Sequence, residues 1–192
     1  MRLLTLILLT AISTQTALAN DWYTSVYGGA NWDDVISAEG VSENTGYVIG
    51  GTVGKRIPAV SGLRLELDLA FRQNEVDIDW CEDFTVDHNV TTLLGNLVYE
   101  PGVVIGPLHP YVLAGIGYGH SEARFEDISV ASVESSGIAW QLGAGVNTEI
   151  ADGVAFGIGY RYLQAPAIEV FGTEVADGGH HSAVAQLTFA LD

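Results

Sequence analysis

Between residues 63 and 72 every second position is apolar: Leu63, Leu65, Leu67, Leu69 and Phe71 interleave with Arg64, Glu66, Asp68, Ala70 and Arg72. Successive side chains of a strand point to opposite faces, so this stretch predicts a β-strand with one apolar wall and one charged wall. The same period returns further on. Val154, Phe156, Ile158, Tyr160 and Tyr162 share one face, and Ala155, Gly157, Gly159 and Arg161 the other. Before them, Ile138, Trp140, Leu142, Ala144, Val146, Thr148 and Ile150 alternate with Gln141, Gly143, Gly145, Asn147 and Glu149. Turn residues punctuate these stretches, and no helical period, linker or low-complexity segment interrupts them. The pattern predicts eight strands, over 22–32, 46–57, 63–73, 89–100, 110–121, 137–150, 154–164 and 181–191.

Opposed residues of an antiparallel pair face the same way, so the register of the sixth and seventh strands must match like with like. A three-residue turn, Ala151-Asp152-Gly153, pairs Ile150 with Val154 and sets Gly145 against Gly159 and Gly143 against Arg161. A two-residue turn would oppose Glu149 to Phe156. Gly153 then takes the left-handed position that three-residue hairpin loops require.

The connections fall into two kinds. Pro58-Ala59-Val60-Ser61-Gly62, Ala151-Asp152-Gly153 and a Pro/Gly-rich turn running to Pro110 are short, whereas 33–45, 74–88, 122–136 and 165–180 are longer, polar and acidic. In an up-and-down arrangement the short turns lie at one end and the long loops at the other, as in outer-membrane barrels.

Alternation alone leaves two ways to close such a sheet. A soluble lipocalin-like barrel turns its leucines inward, and a membrane barrel turns them to lipid and fills a narrow lumen with polar side chains. Three features favour the second. Gly143, Gly145, Gly157 and Gly159 share a face with Arg161, where small residues give an arginine room to lie across the interior. After the leader only one lysine remains, Lys55, which suits a wall facing lipid. Trp22, Tyr23, Trp32, Tyr47, Tyr99, Tyr111 and Tyr162 fall near strand ends, where aromatic girdles sit.

The start of the chain agrees. Arg2, an apolar run from Leu3 to Ile12 and the small-residue site Ala17-Leu18-Ala19 have the order of a secretory signal peptide, predicting a leader over 1–19 and a barrel domain over 20–192. No later apolar run reaches the roughly 18 residues of a membrane-spanning helix.

Charge and cysteine content narrow the partners. Arg2 is the only charged residue of the leader, so its removal leaves six basic residues against 24 acidic ones, which makes nucleic acid and anionic lipid poor partners. Cys81 is the single cysteine, so no internal disulfide can form.

Gly157-Ile158-Gly159-Tyr160-Arg161-Tyr162-Leu163 resembles the penultimate strand of small outer-membrane barrels related to the membrane domain of outer-membrane protein A and to opacity-type surface proteins. Tyr111 to Gly119 resembles their fifth strand, and His181-Ser182-Ala183 leading to Leu187-Thr188-Phe189 their last. As a pattern the likeness spans the chain after the leader. Such families close on a terminal aromatic, and this sequence runs past Phe189 to Ala190-Leu191-Asp192. The resemblance implies structural, surface or adhesive roles and no shared catalytic residues.

The sequence reading is therefore an all-β, eight-stranded antiparallel up-and-down transmembrane β-barrel of the bacterial outer membrane, monomeric and non-enzymatic. Its expected partners are outer-membrane lipid, the barrel assembly machinery and an extracellular or host surface met by the long acidic loops. Its candidate site is a polar lumen cluster, Arg64, Glu66, Asp68, Arg72, Glu149 and Arg161, expected to act as a salt-bridged plug because charges taken from water must pair. Two competing readings are a soluble lipocalin-like binder and a lipid A modifying enzyme. The second would need a hydroxyl beside a histidine base, with His120-Ser121-Glu122 and His180-His181-Ser182 as candidates. Neighbours on a strand face opposite ways, so neither His120 with Ser121 nor His181 with Ser182 makes a dyad. His88, His120, His180 and His181 with Asp83 and Asp87 show no ligand spacing typical of zinc, and no metal or cofactor is assigned.

Overall fold

The computed structural model describes residues 21–33, 41–43, 45–78, 85–125, 133–170, 173–176 and 178–191. The expected leader, Cys81 and Asp83 lie outside the described residues. The strands are β1 Trp22–Asp33, β2 Val41–Glu43, β3 Gly46–Arg56, β4 Leu63–Ile78, β5 Thr85–Tyr99, β6 His109–Phe125, β7 Val133–Ala151, β8 Val154–Gln164, β9 Ile168–Val170, β10 Thr173–Ala176 and β11 Gly179–Ala190.

Eight of them close a ring in the order β1-β3-β4-β5-β6-β7-β8-β11, each antiparallel to its neighbours, and β1 seals against β11. Tyr23 pairs with Ala190 at one end of that seam and Asp33 with His180 at the other. Closure pairs every ring strand on both sides, which is what a strand protein needs to cross hydrocarbon.

The faces are settled by exposure. Leu65, Leu67 and Leu69 stand on the outer wall, while Glu66, Asp68 and Arg72 on the opposite face are buried. The exterior is apolar over a broad band, with Val26, Ile49, Val53, Leu93, Leu97, Ile116, Leu142 and Ile158 all exposed. A lipocalin-like arrangement would reverse both faces, so the leucine-inward reading is excluded.

Strand ends and some faces depart from the sequence reading. β4 runs to Ile78, β5 starts at Thr85, β6 reaches Phe125 and β7 starts at Val133, so much of the expected loops 74–88 and 122–136 is strand. The apolar alternation of β4 breaks at the polar run Arg72-Gln73-Asn74-Glu75, while the backbone ladder continues from Asn74↔His88 to Asp77↔Thr85. A short hairpin, β9 with β10, and a β2–β4 pairing occupy two further connections at this long-loop end.

At the β7–β8 turn Gly145 faces Gly159 and Gly143 faces Arg161. The last pair, however, is Ala151 with Val154, one residue beyond the expected Ile150–Val154, because a bulge between Glu149 and Ala151 absorbs Ile150. Gly153 has φ +70°, a conformation side chains rarely adopt, and its carbonyl accepts the Ala190 amide at 2.7 Å.

Candidate functional site

The candidate site is the lumen, which is built in three levels. At the short-turn end, Arg64 of β4 donates from Nη1 to Glu100 Oε2 at 3.2 Å, and Tyr23 of β1 donates its hydroxyl to Glu66 at 2.7 Å. The Arg56 and Arg64 guanidinium carbons each lie 5.6 Å from the Tyr23 ring centre. These groups line an open-mouthed cavity of about 210 Å³, with Glu149 and Gln186 on its far wall.

The middle level holds the most deeply buried charges. Arg161 of β8 donates from Nη1 to Asp68 Oδ2 at 3.0 Å and from Nη2 to Gln186 at 3.0 Å, and its guanidinium carbon sits 3.9 Å from the Tyr27 ring centre. Tyr27 donates to the same Asp68 carboxylate at 2.9 Å. A buried guanidinium is tolerated when its charge is paired and its face is covered, and both conditions hold for Arg161. Arg72 is as deeply buried. Its Nη1 donates to Thr92 at 3.3 Å, while Nε and Nη2 have no hydrogen-bond partner among the described residues. On the other side Gln141 donates to Asn96 at 2.8 Å.

At the long-loop end the last residue of β1, Asp33, collects donors from three other strands. Asn74 Nδ2 donates to its Oδ1 at 2.6 Å, His88 Nδ1 to its Oδ2 at 2.9 Å, and His180 Nδ1 to Oδ1. Asn31 donates to Asn74 at 2.7 Å and accepts from Ser182 at 2.6 Å.

The six residues singled out from the sequence therefore do not form one cluster. Arg161 and Asp68 pair directly, Arg72 lies within electrostatic range of Asp68, Glu66 belongs to Tyr23, and Arg64 belongs to Glu100. Glu149 is exposed at the mouth, because the bulge beside it ends the wall there. The lumen is also less polar than expected: Val90, Leu94, Ala139, Leu163 and Ala165 form an apolar cluster inside it.

Two assignments from the sequence are corrected. Tyr23 and Tyr111 are not girdle residues, since both point inward and are buried. The lumen glycines, in turn, accommodate tyrosines. A Cβ on Gly145 or Gly159 would sit 2.6 or 2.5 Å from the Tyr111 hydroxyl, and one on Gly54 or Gly50 would meet the Tyr23 or Tyr27 ring, whereas one on Gly143 would meet Leu113 and the backbone of Tyr160. Missed altogether were Asp33, Asn31, Asn74 and Tyr27. The period of the first strand carried on to residue 33 would have placed Tyr23, Ser25, Tyr27, Asn31 and Asp33 on one face.

The histidine candidates separate by face. His120 lies on the outer side and bonds Ser136 at 2.8 Å, while Ser121 points inward and donates to the Pro166 carbonyl at 3.1 Å. His181 lies outside too, stacked on Trp32 and bonded to Tyr160. His88 and His180 are inside and share Asp33, a convergence that sequence spacing did not show.

Comparison with known proteins agrees with this architecture. Residues 4–182 match the family model described as outer membrane protein beta-barrel domain. Among solved structures, Neisserial surface protein A superposes with a TM-score of 0.62 at 14% identity, covering 88% of this chain and 97% of that one. A major outer membrane protein from Thermus thermophilus superposes with a TM-score of 0.58 at 12% identity, covering 88% and 99%. No curated protein matches the sequence.

Proposed function

The chain belongs to the outer membrane protein beta-barrel domain family, and on that basis we propose that this outer-membrane protein has a non-enzymatic surface role, contacting a partner outside the cell through its long hairpin arms. The observation that carries this reading is the continuation of the β4–β5 and β6–β7 ladders past the apolar band, to Asp77↔Thr85 and Ala123↔Val133. A paired arm holds its side chains in a fixed array, which lowers the ordering cost of binding. Acidic residues dominate the whole chain, 24 against seven basic, so the partner's contact surface is basic or bridged by cations.

In this reading the short turns and both ends of the barrel face the periplasm, residues 1–19 are a cleaved leader, the barrel assembly machinery inserts the chain, and outer-membrane lipid surrounds a monomer. The lumen acts as a plug, supported by the Arg161–Asp68 pair that joins opposite walls and by the apolar cluster around Leu94 and Leu163. The name of the Neisserial relative describes a surface protein, which agrees with the role.

The test uses cells displaying the full protein. Replacing residues 126–132 with a Gly/Ser linker of equal length should reduce adhesion to host-cell or matrix surfaces while the barrel still assembles. Unchanged adhesion for this and the equivalent 79–84 replacement, or steady ion conduction by the purified protein in planar bilayers, overturns the reading.

A further inference from the structure

We propose that Asp33, His88 and His180 form a binding site for a divalent transition-metal ion of the zinc class at the long-loop end of the lumen. The three side chains come from β1, β5 and β11, and each offers one ligand atom, all of them within 4.8 Å of one another. A tetrahedral ion with ligands about 2.0–2.2 Å away holds them roughly 3.5 Å apart, so binding asks for side-chain rotation and no change of the wall.

Hydrogen bonding shows how the rings can receive an ion. A carboxylate only accepts, so both imidazoles bonded to Asp33 through Nδ1 carry their proton there. Nε2 of His88 and Nε2 of His180 are buried and have no hydrogen-bond partner among the described residues. Each Nε2 can therefore take the proton that a metal ion displaces from Nδ1, so both rings bind through Nδ1 as neutral imidazoles and the charge of the ion is set against Asp33. The ring centres of His88 and His180 are 5.2 Å apart.

The donor set selects the ion. Two imidazoles and a carboxylate suit zinc and its neighbours nickel, cobalt and copper, whereas calcium and magnesium require oxygen ligands. Supporting residues are in place, since Asn74 donates to the Asp33 carboxylate and Asn31 and Ser182 continue the chain of hydrogen bonds, which is how outer partners fix ligand orientation. Three protein ligands leave a fourth position for water or an incoming group. The Asp33 side chain retains 11% exposure, which gives an ion a route to the site.

The experiment uses the full barrel, folded in detergent, stripped with a chelator and dialysed against zinc chloride. One zinc ion per chain is expected, and cobalt(II) in its place should give the visible absorption of a site with nitrogen and oxygen ligands. His88→Gln, His180→Gln and Asp33→Asn should each weaken zinc binding by about tenfold or more. His120→Gln and His181→Gln, on the outer wall, should leave it unchanged. Zinc should also raise the temperature at which wild-type protein loses its compact gel mobility. Absence of stoichiometric zinc in folded wild-type protein overturns the site, as does unchanged affinity in the His88→Gln/His180→Gln double variant. If those variants do not fold, wild-type protein lacking the cobalt absorption overturns it equally.

Discussion

Arg161 and Asp68 are 93 residues apart in sequence and lie on β8 and β4, strands that are diametrically opposed in the ring, yet their side chains meet at 3.0 Å across the lumen. Arg161 is 1% exposed and Asp68 0%. Losing either partner strands the other charge in the interior, at a cost of about 3–5 kcal/mol. Arg161→Ala and Asp68→Asn should each lower the temperature at which the detergent-folded barrel loses compact mobility. The double variant should lose less than the sum of the two, because the residues act on one pair. Strict additivity would mean that the pair contributes nothing as a unit.

A second prediction follows from Tyr111. An alanine methyl at Gly159 would lie 2.5 Å from the Tyr111 hydroxyl but 3.6 Å from the ring carbon that bears it. Gly159→Ala should therefore destabilise the barrel by about 1–3 kcal/mol in the wild-type background, and by clearly less when combined with Tyr111→Phe. Gly95→Ala serves as the control, since its methyl would find nothing nearer than 3.8 Å. Equal penalties at Gly159 in the two backgrounds would show that the phenol is not what the glycine accommodates.

The eight-stranded ring was legible because the alternation of β4, β7 and β8 is strong and because turn lengths sort to two ends. Face assignment was harder. In β5 both walls are apolar, with Val90, Leu94 and Val98 inside and Leu93 and Leu97 outside, so period two carries no signal there. Tyr23 and Tyr111 were misplaced because a tyrosine at a strand end satisfies an interfacial girdle and a lumen equally well, and parity alone decides between them. Arg161 and Asp68 could be placed on the inner face, but their pairing depends on the stagger of strands half a barrel apart. The Asp33, His88 and His180 level escaped for a related reason: Asp33 and His180 become neighbours only when the β1–β11 seam closes, and His88 reaches them from β5, three strands away from β1, so no local spacing announces them.

On the outer wall Leu67 is 58% exposed and stands between the inward Glu66 and Asp68. Leu67→Arg near the bilayer midplane should cost about 2–4 kcal/mol when unfolding is followed in lipid vesicles. Leu67→Phe, still apolar, should cost far less. A neutral effect for the arginine would place this face against water or protein.

The single cysteine offers a direct test of orientation. Cys81 falls in the 79–84 segment that joins β4 to β5 at the long-loop end, and Ser61 falls in the turn joining β3 to β4 at the other end. That turn is tightly made, with the Val60 amide donating to the Ile57 carbonyl and the Leu63 amide to the Val60 carbonyl, both at 3.1 Å, and the Glu100 amide to the Gly62 carbonyl at 2.9 Å. Short, internally bonded turns of this kind belong to the periplasmic side of bacterial barrels, and longer connections to the outside. A membrane-impermeant maleimide should thus label Cys81 in wild-type protein on intact cells. In a Cys81→Ser background, Ser61→Cys should react only after the outer membrane is permeabilised. Labelling of Ser61→Cys on intact cells, with Cys81 protected until permeabilisation, would invert the barrel and direct its acidic arms into the periplasm.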